Sequence, residues 1–220
     1  MSAFLGPIHH WLFNKINLHE RLEKNIVDAY KKKYGSGIEQ IETESIERYG
    51  EPSTTVALEE QIDLSNIHQW LQTSIGKAET RLSYILAEVM RKHGNEAFDI
   101  ALDEYVKQGK ECGASAKAKG SIKTPADVFK SINDYLLDGM PCDRVNVVKE
   151  SDENHIVWET TECLHRGFWQ QVGADIESLY KLRFSWIKSY VENAATGFSY
   201  LYKTGDNIDS LFIHEIKKSS

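Results

Sequence analysis

Apolar residues recur at helical spacing through most of the first two thirds of the chain. From Pro7 onward, Ile8, Leu12, Ile16, Ile26 and Tyr30 form one stripe, with Trp11, Phe13, Leu18 and Leu22 beside it. Proline suits a first helical position because its missing N–H would have no helical partner there. The pattern therefore predicts a helix from Pro7 that Gly35 stops, then a short one over Ile38–Tyr49 broken by Gly50 and Pro52. Residues 55–93 carry a third stripe, including Leu58, Ile62, Ile67, Trp70, Leu71, Ile75, Leu82, Ile85, Leu86 and Val89. A restart is expected near Asp63–Ser65, with Ser65 as the cap. Gly94 closes this segment, and Asn95 caps a helix reaching Gly109 or a little beyond. Residues 112–123, rich in Gly, Ala, Ser and Lys, read as an exposed connection or a fraying helix end.

The period changes after residue 124. Thr124-Pro125-Ala126-Asp127 combines a capping residue, proline at the first helical position and an acid in the first turn. The helix it starts carries Val128, Phe129, Ile132, Tyr135 and Leu136, and ends before Gly139. Arg144–Val148, a polar turn over Glu150–Asn154, and an arm over His155–His165 have the pattern of a hairpin. Gly167 and Gly173 flank Phe168–Val172. Asp175 then opens a long amphipathic helix expected to reach about Lys203, with a turn at 204–207 and a closing strand over 210–216. The pattern predicts an α+β fold: predominantly helical, with a small antiparallel sheet (the hairpin plus the C-terminal strand) packed on the long C-terminal helix. It divides into a helical region, 1–120, and an α+β region with a ligand pocket, 121–220, within one compact domain.

Composition narrows the function classes. At 220 residues the chain can bury a core without staples. Its net charge of −7 argues against a nucleic-acid surface, which needs a basic stripe. No apolar run approaches the roughly 20 residues of a membrane span, and no secretory signal stands at the start. Three widely spaced cysteines make no disulfide framework, so a reducing cytoplasm is the expected compartment.

The chemistry concentrates in the hairpin's second arm. If it is extended throughout, His155, Val157, Glu159, Thr161, Cys163 and His165 share one face. A thiolate is a good nucleophile, and an imidazole beside it promotes that form. In a catalytic reading Cys163 is the nucleophile, His165 or His155 its base, and Glu159 the group that orients the imidazole. The plainer reading is a small buried thiol and a wet sheet face. Trp158, Tyr180 and Trp186 are candidates to line a ligand pocket, and Arg183 to meet a ligand carboxylate. Those aromatics equally suit a core. His9 and His10 would need a partner such as His68 or Glu60 to hold an ion. No Glu-x-x-His, His-x-x-x-His or Cys-x-x-Cys motif occurs, so no metal is assigned and no cofactor named.

The segments Val157-Trp-Glu-Thr-Thr-Glu-Cys163, Leu179-Tyr180 and Thr204-Gly205-Asp206 followed by Leu211-Phe212-Ile213 resemble the L-2-amino-thiazoline-4-carboxylate hydrolase-like proteins. More distantly, they resemble the 4-vinyl reductase-like small-molecule-binding domains. The resemblance covers the C-terminal third. It implies a ligand cavity between sheet and helices and, for the hydrolase branch, opening of a C–N bond in a small cyclic amino-acid-like compound. Cys163 stands at the position of the family's cysteine at the end of the strand. Relatives often have a further cysteine downstream, and none follows Cys163 here, which leaves binding without turnover open. The expected function is thus a small-molecule C–N hydrolase. A non-catalytic small-molecule or metal-binding sensor and a helical protein-interaction domain are the alternatives. The expected partner is a small molecule, with a homodimer among the possible states.

Overall fold

A computed structural model describes residues 4–53, 56–205 and 211–219 of the chain. In order it forms α1 (Pro7–Tyr34), α2 (Gly37–Tyr49), α3 (Leu58–Gln61), α4 (Ile67–His93), α5 (Asn95–Ala118), α6 (Pro125–Ile132), β1 (Asn146–Ser151), β2 (His155–Thr160), α7 (Arg166–Gln171), α8 (Ile176–Ala194), β3 (Phe198–Thr204) and β4 (Phe212–Lys218). The fold is α+β and predominantly helical, with one small antiparallel sheet. No helix among the described residues is long and apolar enough to cross a membrane.

The punctuation read from sequence sets the helix ends. Pro7 is the first residue of α1, and Gly35, Gly50 and Gly94 follow α1, α2 and α4 with positive φ, a conformation that costs glycine little. The restart before α4 falls one residue later than expected. Asn66 caps it, accepting from the Gln69 N–H at 3.3 Å, while Ser65 turns its hydroxyl and N–H back to Asp63. At α6 the capping box is complete: Thr124 Oγ1 accepts from the Asp127 N–H, and Asp127 accepts from the Thr124 N–H. That helix stops at Ile132, short of the predicted end near Gly139.

The residues fall into two compact units that interleave in sequence. The first comprises 1–104, 136–140 and 165–179, and the second 105–135, 141–164 and 180–220. Residues 105–120, read from sequence with the helical region, therefore belong to the second unit. In the first unit α4 packs against α1, α2 and α7, and a core cluster gathers Leu12, Ile16, Ile62, Leu71, Ile75, Ala78 and their neighbours. Tyr30 joins α1 to the start of α5 by donating to the Ala97 carbonyl at 2.8 Å.

The second unit holds the sheet, in strand order β1-β2-β4-β3, with every pairing antiparallel. Ile156, Trp158, Phe198, Tyr200, His214 and Ile216 are buried. Phe129 of α6 meets Trp158, and Phe184 of α8 meets Tyr202, Phe212 and His214. Two sequence expectations change here. The helix expected to run to Lys203 ends at Ala194, because Gly197 takes a φ of 82°. Phe198, Tyr200 and Tyr202 then alternate along β3, a fourth strand that the helical reading absorbed. The turn expected at 204–207 falls partly on residues outside the described ones, and so does the start of the closing strand.

The small residues near 109–116 are the other change. Far from an exposed connection, they extend α5 to Ala118 and bring it against α8. A Cβ on Gly109 would lie 2.5 Å from the Trp186 carbonyl oxygen, and one on Gly113 would fall on the Tyr190 carbonyl. Both glycines are spacers between helices, with Cys112 and Ala116 buried beside them. Gly113→Ala is expected to destabilise the protein by about 1–3 kcal/mol, as an added methyl does in a packed contact. Urea denaturation measures this, and an unchanged midpoint would show that the helices part without cost.

Candidate functional site

The four groups read as one catalytic face do not share one strand. β2 ends at Thr160, so only His155, Val157 and Glu159 share its outward face. The buried face is the opposite one, with Ile156 and Trp158. His155 sits at the hairpin tip, with Nε2 at 3.2 Å from Glu150 and Nδ1 at 3.0 Å from Asp152. The Glu150 contact is the main reason its pKa is raised. Glu159 pairs with Lys149 at 2.9 Å. Cys163 lies beyond the strand and is half-buried. His165 precedes α7 and is buried in the first unit. There its Nδ1 meets Glu79 at 2.9 Å and its Nε2 meets Asp138 at 3.2 Å. Both ring nitrogens of His165 are thus taken up by carboxylates.

The four pocket candidates all lie in the second unit. Trp158 is core, stacked on His214 at 4.9 Å. Trp186 is buried, and its indole N–H donates to Gln108 at 3.0 Å. Tyr180 packs edge-on against Phe212. Arg183 is near enough to Tyr200 to oppose the rise in that phenol's pKa, which burial drives. Among the histidines, His9 and His68 have ring centroids 5.9 Å apart. His9 Nδ1 accepts from the Gly6 N–H, and His10 meets Glu59 at 3.6 Å. Among the described residues no group of three or more His, Cys, Asp or Glu side chains is arranged to hold a metal ion.

Beneath the sheet lies a hydrogen-bonded chain that sequence reading missed. Thr160 gives its hydroxyl hydrogen to Asn146 Oδ1 at 2.7 Å. His214 Nε2, 3.1 Å from that hydroxyl, must then donate to it. Nδ1 lies 2.7 Å from the Tyr200 phenol, so both ring nitrogens of His214 are engaged. The chain satisfies polar groups inside the second unit's core.

A richer constellation occupies the first unit, where α1 faces α4. Arg81 is fully buried. Its Nε donates to Glu23 Oε1 at 2.6 Å, its Nη2 to Glu20 Oε1 at 2.9 Å and its Nη1 to the Gly50 carbonyl at 3.0 Å. Glu20 also accepts from the Ser53 N–H at 2.9 Å and the Ser53 hydroxyl at 3.1 Å. Glu23 Oε2 is different: it is buried and meets no hydrogen-bond partner among the described residues. One guanidinium and two carboxylates leave a net charge of −1 when both acids are ionised. Burial is accordingly the largest influence on Glu23, and against the pull of Arg81 it pushes the carboxyl up to about 7. His19, on the same helix, has its pKa lowered chiefly by burial, with Glu79 opposing and His165 and Arg81 reinforcing. Its Nε2 is likewise buried without a partner.

A cleft of about 800 Å³ runs along this side of α1, within the range of small-molecule pockets. Asn17, Glu20, Arg21, Glu23, Glu42 and Glu51 are among its walls. Asn17 Oδ1 is a second buried atom there without a hydrogen-bond partner. A carboxyl poised near neutrality at the wall of a cleft can hold a ligand or move a proton. In sequence these residues gave one signal: Glu20 and Glu23 interrupt the apolar stripe between Ile16 and Val27 at positions where the helical period calls for hydrocarbon. Comparison of the chain with family models, with curated proteins and with solved structures gives no match.

Proposed function

We propose that the protein binds a small polar molecule in the α1 cleft, with Glu23 as the group that meets it. The observation that carries this reading is Glu23 Oε2, an acceptor inside the protein at the wall of an open cleft with no partner of its own. Buried polar atoms are nearly always paired, so an exception at a cleft marks where a bound molecule completes the hydrogen bonding. A small amino-acid-like nitrogen compound, the class implied by the C-terminal resemblance, has the donors this site needs. C–N hydrolysis through Cys163 would need a base other than His165, whose two ring nitrogens face carboxylates. Binding is therefore the reading the geometry supports best.

Thermal-shift screening with amino acids and small nitrogen heterocycles tests it. A true ligand at 100 times its Kd raises stability by about 2.7 kcal/mol. Glu23→Gln is expected to abolish that rise and Asn17→Leu to reduce it. A ligand whose effect survives both changes, or which protects Cys163 from alkylation and leaves α1 untouched, would move the site to the second unit.

A further inference from the structure

We infer that the molecule taken by the α1 cleft is an organic cation, an amine bearing a protonated nitrogen, and that it enters in exchange for the proton on Glu23. The inference rests on the cleft reading and names the class of ligand. Two buried atoms of residues that line the cleft, Asn17 Oδ1 and Glu23 Oε2, meet no hydrogen-bond partner among the described residues, and both are acceptors. A ligand completing them must supply N–H or O–H groups. Charge then selects among donors. Arg81 neutralises one of the two carboxylates it touches, and the remaining negative charge sits on a side chain only 8% exposed.

Such a charge is relieved either by a proton on Glu23 or by a cation reaching Oε2. Of the groups that face Glu23, Arg81 comes from α4, Glu42 from α2 and Glu20 from α1 itself. Among these only Arg81 is cationic, and each of its three nitrogens donates to an acceptor other than Oε2. Of the other lining cations, Lys24 is held by Asp28 and Lys31 by Glu42, and Arg21 is not among the charges that act on Glu23. A metal ion is the poorer fit, because both Glu20 oxygens are already engaged by Ser53 and Arg81 and no third ligating side chain converges there.

The exchange balances simply. The protonated Glu23 carboxyl loses its proton to solvent, and the ammonium group of the ligand takes the place beside Oε2. No covalent bond is made or broken. Asn17 and Glu23 are six residues apart on α1, about 9 Å along the axis and about 120° around it, and both line the cleft, so a short flexible diamine is the probe that fits.

Isothermal titration of the full chain with 1,5-diaminopentane, in phosphate and in HEPES, is the test, with 1,5-pentanediol and glutarate as comparators. The diamine is expected to bind and the other two to fail. At pH 7 about half a proton is released per diamine, because Glu23 is then about half protonated. The observed heat therefore differs between the two buffers. Affinity falls about tenfold from pH 8 to pH 6 as the proton regains the site. Glu23→Gln replaces the carboxylate by a neutral amide and is expected to abolish binding. Asn17→Leu is expected to weaken binding with proton release unchanged, and it carries the test should the Gln variant not fold.

Diamine binding without proton release, or equal binding in the Gln variant, would overturn the exchange. Binding of the diol or glutarate with shifts in α1 amide resonances, and none by the diamine, would overturn the cation class and leave the cleft standing. If no compound moves the α1 resonances, in this set or the screen above, the cleft reading itself fails.

Discussion

Arg81→Met is expected to lower stability by about 3–5 kcal/mol near pH 7.5, the usual effect of stripping one partner from a buried ion pair. The guanidinium is fully buried and gives all three of its nitrogens to acceptors: Glu23, Glu20 and the Gly50 carbonyl. Methionine fills similar volume but leaves two carboxylates side by side and an unmet carbonyl. One of them can escape by taking a proton, so the penalty should shrink as pH falls toward 5. A Glu20→Gln/Glu23→Leu/Arg81→Met variant removes the charge altogether and should recover much of the loss, as apolar replacement of buried ion triads can. Urea denaturation at pH 5 and pH 7.5 reads both effects. A midpoint unmoved by Arg81→Met at pH 7.5 would mean that water, and not the guanidinium, solvates the two acids.

The second large effect is the pH dependence carried by Glu23. Its carboxyl is raised in the folded state to about 7 from 4.5, which corresponds to about 3 kcal/mol. The folded protein holds this proton more tightly than the unfolded chain does. The stabilisation is therefore fully present below pH 4.5 and is lost as pH rises through 7. Other groups also titrate in this window, His155 and His9 among them, so the comparison that isolates Glu23 is wild type against Glu23→Gln. The Gln variant keeps an oxygen for the Arg81 Nε–H and has no charge to lose. The difference between the two stability curves should change by about 3 kcal/mol from pH 4.5 to pH 8, in favour of the variant at high pH. Parallel curves would show that Glu23 stays ionised throughout, and the proton exchange inferred for the cleft would go with it.

Local chemistry was legible in the sequence. Pro7, Gly35, Gly50, Gly94 and the Thr124–Asp127 box act through their own backbone and immediate neighbours, so the boundaries they predict need no knowledge of the rest of the fold. The hairpin of β1 and β2 followed from alternation and a polar turn, although β1 runs to Ser151 and β2 stops at Thr160. The segment after Gly197 was harder. Phe198 and Leu201 fit a helical stripe, while Phe198, Tyr200 and Tyr202 fit a strand. What decides is the free edge of β4 waiting to be paired. Gly109 and Gly113 similarly read as breakers until α8 is beside them.

By itself the sequence determined the helical character of most of the chain, the places where helices begin and end, and an α+β class with a small antiparallel sheet. Only the tertiary structure decided where chemistry can happen. It placed His165 between Glu79 and Asp138, and Arg81 against acids 58 and 61 residues before it. The reason is physical. A helix end is fixed by hydrogen bonds spanning a few residues, whereas the burial, pairing and proton affinity of a charged side chain are set by whatever the folded chain packs around it.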